Sequence, residues 1–293
     1  MGRSLWSTLR EILPGATRPW LRKGQERLLV QCLYQALREQ GLLEMYARLL
    51  HIVPDIRQQY SSFSLDTEYL TLKVRGLHAF QISLVQKALS LLEIDASSQF
   101  TVVDVGDSSG AHVQYIRSLY ENSRSLSVNL DKEAVERIRR KGLEALHARA
   151  EDVASLGLTP DILLSFQTLE HLVSPISFLR SLSAGTPCRA LVVTIPYLAR
   201  SRVGLDYIRA AERKGASPER VHVFELSRED WRLIFQFSGW RVLHDQTYLQ
   251  YPRRGPLRAM KAYWKVMDFE GFYGAILGQD DSWSKLYEWP EVH

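Results

Sequence analysis

The sequence predicts an α/β protein, a mostly parallel sheet with helices on both faces, preceded by a helical N-terminal extension. Three observations carry that prediction. From residue 100 onward, short apolar runs alternate with stretches of helical period, as in strand–helix units around a parallel sheet. The first of those runs, TVVDVGDSSG at 101–110, passes straight from branched apolar residues into small ones. Ahead of residue 100, wherever the apolar spacing is regular, it is helical.

Taken in order, Leu28, Leu29, Leu33 and Leu37 and then Leu42, Leu43, Tyr46 and Leu50 predict two helices within 20–50, parted at Gly41, the second closed by Pro54. Residues 55–75 read as irregular. A helix over 78–92 buries Phe80, Leu84, Ala88 and Leu91. Strands are expected at 100–105, 125–130, 161–165 and 189–195, with helices at 110–120, 132–141 and 174–183 between them. A polar excursion at 197–220 carries Gly204, Gly215 and Pro218 and room for a short helix at 205–213. A further helix starts at Ser227, whose spacing to Asp230 is that of a capping box. RVLHDQTYLQYP and GFYGAILGQ then read as a late antiparallel strand pair.

Composition narrows the class. Of 293 residues, 45% are hydrophobic, enough for a sizeable core, and 24% are charged, with a net charge of only +4. So mild an excess permits phosphate contact without demanding it. Cys32 and Cys188 are the only cysteines. This excludes a four-thiolate zinc site and disfavours a disulfide scaffold, and it points to a reducing, cytoplasmic compartment. No apolar run approaches the ~20 residues of a membrane helix. The N-terminal stretch lacks the apolar core of a signal peptide. Leu5, Trp6, Leu9, Ile12 and Leu13 form a weak amphipathic face, suited first to docking on the protein's own body and second to peripheral contact with a membrane surface.

The turn after the first strand raises the functional question. Val102, Val103 and Val105 place Asp104 at the strand's carboxyl end, where ligands of open parallel sheets bind. Gly106 tolerates backbone angles closed to other residues. The small residues after it let a ligand approach the main chain, with helix amides from Gly110 or Ala111 facing it. The spacing is neither G-x-G-x-x-G nor a phosphate loop, and Asp107 would repel a diphosphate. Asp131 stands 25 residues after Gly106, on the neighbouring strand-to-helix turn. Two readings stand open there: a carboxylate for vicinal ribose hydroxyls and a helix N-cap.

In succession these segments resemble the class I S-adenosylmethionine-dependent methyltransferases. VVDVGDSSG is similar to the first-strand motif acid-x-Gly-x-Gly-x-Gly, NLDKEAV to the second-strand motif with its ribose-binding acid, and ARAEDVASL to the adenine-side loop. PDILLSFQTLEHL resembles the fourth-strand segment that often ends Leu-Glu-His, and HVFELSREDWRLIFQFSGWRV the late helix and strand. The match spans roughly residues 75–250, with GFYGAILGQ fitting the final antiparallel strand. The resemblance implies a Rossmann-like, mostly parallel seven-stranded sheet whose final strand is antiparallel. It divides the chain into an extension or lid at 1–75 and a methyltransferase domain at 76–293 with an insertion near 197–220.

It also implies S-adenosylmethionine as cofactor. Gly106, Asp107, Ser108 and Gly110 would flank its methionine portion, with Asp104 holding the loop or meeting the amino group. Asp131 would bind the ribose, Ala150 and Glu151 would border adenine, and Gln167 would sit beside the methionine part. Two positions depart from the pattern: Ser108 replaces the middle glycine, and Arg149 stands where many relatives have an acid. Both make a catalytically inactive relative an alternative.

For acceptor activation, His171 is the first candidate base, its ordinary pKa lying near neutral. Glu170 is its orienting partner and His222 the second candidate. Local spacing shows no metal motif such as H-E-x-x-H, and none is expected. The expected acceptor is a small molecule or a saccharide, foremost a sugar hydroxyl. Tyr34, Tyr46, Tyr60, Tyr69, Tyr197 and Tyr207 would supply ring faces, and Arg200, Arg202, Arg209, Arg253, Arg254, Arg258 and Lys261 a hold on an acidic group. Nucleic acid is the alternative acceptor, because RRGPLRAMKAYWK at 253–265 alternates basic and aromatic residues.

Overall fold

The structure, a computed structural model, describes residues 18–59, 65–107, 109–204, 222–266 and 269–287. The amphipathic face near residues 5–13, Ser108, Tyr60, Tyr207, Arg209 and the short helix expected at 205–213 lie outside them.

Helices α1 (Arg18–Glu39) and α2 (Leu43–Ile52) are parted at Gly41 as expected. Helix α3 runs Glu68–Leu91, starting ten residues before the expected one. Thr67 caps it, its Oγ1 accepting from the Leu70 amide at 3.2 Å. The helix continues unbroken through residues 75 and 76. Its Arg75 is buried for a local reason: the guanidinium donates to the carbonyls of Val53 at 2.7 Å and Pro54 at 3.0 Å, tying the end of α2 to α3. Phe80, Leu84 and Ala88 are buried as expected. Leu91 is 41% exposed, because the helix there has run past the sheet.

The sheet units follow: β1 (Phe100–Val105), α4 (Ala111–Leu119), β2 (Ser123–Asn129), α5 (Lys132–Arg140), β3 (Glu144–His147), β4 (Ile162–Phe166), α6 (Pro175–Gly185) and β5 (Ala190–Tyr197). A two-residue pair, β6 (Arg202–Val203) and β7 (Phe224–Glu225), joins the two ends of the polar excursion. Helix α7 (Arg228–Phe237), β8 (Trp240–Leu249), helix α8 (Lys261–Val266) and β9 (Gly271–Gln279) complete the α-helices and strands of the described residues. Ser227 caps α7 as its spacing with Asp230 predicts, its Oγ accepting from the Asp230 amide at 3.2 Å.

The seven strands of the main sheet are ordered β3-β2-β1-β4-β5-β9-β8. The first five are parallel, and β9 inserts antiparallel between β5 and β8. Side-chain alternation along the strands divides the core. Val102, Leu164, Val192 and Ile276 face α1–α4, while Val103, Leu163, Val193 and Leu277 face α6 and α7 with Phe178, Trp231 and Phe235. No helix among the described residues is long and apolar enough to cross a membrane.

Candidate functional site

The carboxyl ends of β1, β2 and β4 meet where the strand order reverses between β1 and β4. Gly106 leaves β1 at φ +96°, a left-handed conformation, and a Cβ there would meet Thr168 Oγ1 at 2.4 Å. That hydroxyl donates toward the Val105 carbonyl at 3.1 Å, clasping the ends of β1 and β4 together. The glycine is thus required by both backbone angle and close approach.

Asp107 departs from the expected part. Its carboxylate turns back into the loop and accepts the amides of Gly110 and Ala111, each at 3.1 Å. The residue is only 3% exposed. The helix amides expected to face a ligand are therefore capped from within, as a helix start without another acceptor requires. Gly110, at φ +76°, serves packing: a Cβ would come within 2.9 Å of Ile138 on α5.

At the second strand the cap reading of Asp131 is seen directly. Asp131 caps α5, its Oδ1 accepting the Glu133 amide at 2.8 Å. Strand β2 ends two residues earlier at Asn129, whose side chain bridges the turns. Its Nδ2 donates to the Asp107 carbonyl at 2.9 Å and its Oδ1 accepts the Asp131 amide at 2.8 Å. Ala150 and Glu151 open a short 3-10 helix after β3, with Ala150 half-buried and Glu151 paired at 3.4 Å with Arg149 in an exposed contact.

Beneath this edge lies a buried chain of polar groups. His112 Nδ1 is 3.0 Å from Asp104 Oδ2, and its Nε2 is 3.0 Å from Gln81 Oε1. Gln81 donates to Thr194 Oγ1 at 2.9 Å, which also accepts from Gln167 Nε2 at 3.4 Å. Both neighbours of the imidazole offer acceptor oxygens, an arrangement that favours the protonated ring. Its pKa is raised accordingly: burial opposes the charge, but the Asp104 hydrogen bond and charge outweigh it. Burial pushes the Asp104 carboxyl up to about 6 against the pull of His112. Both shifts favour keeping a proton on the pair. Asp104 Oδ1 has no partner among the described residues. Gln81, His112 and Thr194 were not legible as site residues, being isolated polar positions within apolar segments.

Gln167 follows β4 at φ +53°, its amide held by the Thr194 carbonyl at 2.8 Å. Glu170 comes next, 1% exposed, with neither carboxylate oxygen partnered among the described residues. Burial pushes its pKa up to about 8. Its own carbonyl accepts the Val223 amide at 2.7 Å, which draws the returning end of the excursion over it. His222 thereby meets His171 edge to face, ring centroids 4.9 Å apart. One ligand-type atom each from Glu170, His171 and His222 lie within 4.8 Å of one another. Local spacing predicted no such cluster. The chain brings these three residues, all expected at the acceptor side, together across the excursion.

The remaining acceptor residues divide. Arg202 is spent on Glu225 at 2.6 Å, Tyr34 is exposed and Tyr46, Tyr69 and Tyr197 are half-buried. Arg200, Arg253, Arg254, Arg258 and Lys261 are exposed. In the basic stretch the aromatics turn inward: Trp264 is buried, its indole donating to Gln250 at 3.0 Å, and Tyr263 packs on the same core. A stacking platform for single strands is not presented there.

No protein-family model matches the sequence, nor does any curated protein. Solved structures do resemble the fold. A protein of Galdieria sulphuraria, provisionally assigned as a sarcosine dimethylglycine methyltransferase, superposes with TM-score 0.53 at 10% identity, over 73% of this chain and 88% of that one. A provisionally assigned S-adenosylmethionine-dependent methyltransferase of Listeria monocytogenes gives 0.49 at 13% identity, over 69% and 98%. The 1,6-didemethyltoxoflavin N1-methyltransferase of Burkholderia thailandensis, solved with S-adenosylhomocysteine, gives 0.48 at 12% identity, over 85% and 89%. At such identities the likeness speaks for the fold alone. With its strand order and antiparallel β9, the chain has the class I S-adenosylmethionine-dependent methyltransferase fold.

Proposed function

We propose that this chain transfers a methyl group from S-adenosylmethionine to a small-molecule or saccharide acceptor, with a sugar hydroxyl as the acceptor class. The observation that carries the reading is the gathering of Glu170, His171 and His222 just beyond Gln167, at the carboxyl edge of this fold. The unpartnered Asp104 Oδ1 and Glu170 carboxylate are polar acceptors of the kind a cationic ligand satisfies. Gly106, Asp131, Ala150 and Gln167 border the place where the cofactor would lie.

The cofactor supplies a sulfonium methyl that an oxygen nucleophile displaces. The chain's own work is alignment and proton removal. Gln167, anchored at Thr194, orients the methionine end. His171 takes the acceptor proton, with Glu170 beneath it and His222 beside it. On the acceptor side, the β6–β7 pair holds Phe224 and Glu225 close to His222.

A second reading, a catalytically silent member of the fold, draws on specific observations: Asp107 occupies the loop amides, and Asn129 rather than an acid ends β2. Calorimetry with S-adenosylmethionine and S-adenosylhomocysteine separates the two. Micromolar binding supports the enzyme, and no binding at millimolar cofactor supports the silent reading. Mass spectrometry of glycan precursors from cells with and without the protein then tests the acceptor, through a difference of one methyl group.

A further inference from the structure

We propose that Glu170, His171 and His222 form a site for a divalent transition-metal ion at the acceptor side of the cleft. Two nitrogen donors and one carboxylate are a donor set that zinc, manganese, iron or cobalt accepts, with positions left open. Four independent features of the structure converge on it. The three ligand-type atoms already lie within 4.8 Å of one another, a spread that side-chain rotation closes onto bonds of about 2.0–2.2 Å. Glu170 sits at the floor, buried, with both carboxylate oxygens unpartnered among the described residues. Unpartnered buried oxygens of this kind are groups that a bound cation would satisfy.

His222 faces outward, its side chain 33% exposed, so the position is reachable from solvent. Finally, His222 Nδ1 is 3.1 Å from Glu225 Oε1, and Glu225 is in turn held by Arg202 at 2.6 Å. A carboxylate accepting from Nδ1–H holds the tautomer in which Nε2 keeps its lone pair for a ligand, the outer-shell arrangement that ligating histidines need. Among the described residues the other compact group, Asp104, Asp107 and His112, lacks this character: one oxygen of Asp104 is committed to His112, and Asp107 caps the helix amides.

The catalytic part of the inference rests on the methyl-transfer reading; the ion site itself does not. An ion held there would supply Lewis acidity toward the acceptor hydroxyl, and in the loaded protein His171 would serve as its ligand instead of as the base. The hydroxyl proton leaves to solvent, the oxygen lone pair forms the bond to the methyl carbon, and the carbon–sulfur bond breaks with its pair left on sulfur. The ion is unchanged. This narrows the acceptor to one that presents oxygen.

The test is calorimetric titration of the full-length, chelator-stripped protein with Zn²⁺, together with absorption spectra of the Co²⁺-loaded protein. One ion per chain is expected. Glu170→Gln and His222→Ala should each weaken Zn²⁺ at least 100-fold, and Glu225→Gln about 10- to 100-fold. Circular dichroism identifies any variant that has lost its fold; Glu170→Gln, equal in size, is the decisive one. Absence of stoichiometric Zn²⁺ binding by the wild type, or binding and Co²⁺ spectra unchanged by Glu170→Gln, overturns the site. Cofactor titration of the same stripped protein is read separately, so a failed ion site and a failed cofactor reading give different results.

Discussion

The imidazole of His112 and the carboxylate of Asp104, 3.0 Å apart and both buried, form an ion pair beneath the floor of the cleft. Both groups hold their protons more tightly in the fold than in the unfolded chain. The sign of the pH dependence follows. The contribution of Asp104 is complete below its unfolded value and is lost as pH rises toward about 6, while that of His112 is lost only above the ordinary histidine range. The pair's own contribution to stability therefore falls in two steps on going from acid to alkaline solution. Urea melts of Asp104→Asn should lack the lower step. His112→Ala should destabilise by roughly 3 kcal/mol near neutral pH and by less in acid, where the stranded carboxyl takes a proton. Equal losses at both pH values would count against the pair.

Gly106→Ala should be among the more damaging small substitutions. The backbone at φ +96° costs a residue with Cβ roughly 1–2 kcal/mol, and the clash with Thr168 adds to it. Thr168→Ala in the same chain removes the clash but not the angle, so the double variant should recover part of the loss. Full recovery would mean that the backbone angle is not under strain.

The fold was legible because its cues are local and redundant. Branched apolar runs, helical spacing and the capping serines mark most elements within a residue or two. Strand β3 escaped because Glu144–His147 is a short edge with only Ala145 buried. The start of α3 escaped because its first turns are amphipathic and its one cap, Thr67, stands in a polar stretch. At the site, Gly106, Glu170, His171 and His222 were named from sequence, and the structure brings the last three together. What sequence could not show was direction. Asp107 and Asp131 carry the same residue types whether they face a ligand or cap a helix, and only the folded turn reveals that both are caps. Nor does any local pattern mark Gln81, His112 and Thr194, whose contact arises from three different elements.

Asp131 can still be tested for a second duty. Asparagine caps helices about as well as aspartate, so Asp131→Asn should leave the melting temperature unchanged. If the remaining carboxylate oxygen binds ribose, cofactor affinity should drop about tenfold, roughly the worth of one charged hydrogen bond. An unchanged dissociation constant would remove it from the site. Asp107→Ala gives the complementary result: about 1 kcal/mol lost from helix α4, with cofactor affinity kept, since the freed amides then face an anionic group.

His171→Ala should slow the methyl-transfer step by about 10²–10⁴-fold while changing cofactor affinity far less. Single-turnover kinetics against calorimetry reads the two apart. Unaltered turnover would strike His171 from the mechanism, whether it acts as base or as ligand.

Gln167 holds a left-handed backbone at φ +53° without being glycine, a conformation that persists where the surroundings impose it. Its amide is fixed by Thr194 O and its side chain by Thr194 Oγ1, so the strain is set by β5, next to β4 in the sheet. Asparagine tolerates this region better and is one methylene shorter. Gln167→Asn should therefore stabilise the fold by up to about 1 kcal/mol while weakening the cofactor, because the carboxamide no longer reaches both Thr194 and the cleft. Chemical denaturation and calorimetry on the same variant check both halves. A gain in stability with no loss of cofactor affinity would mean that the strained turn serves the sheet and not the ligand.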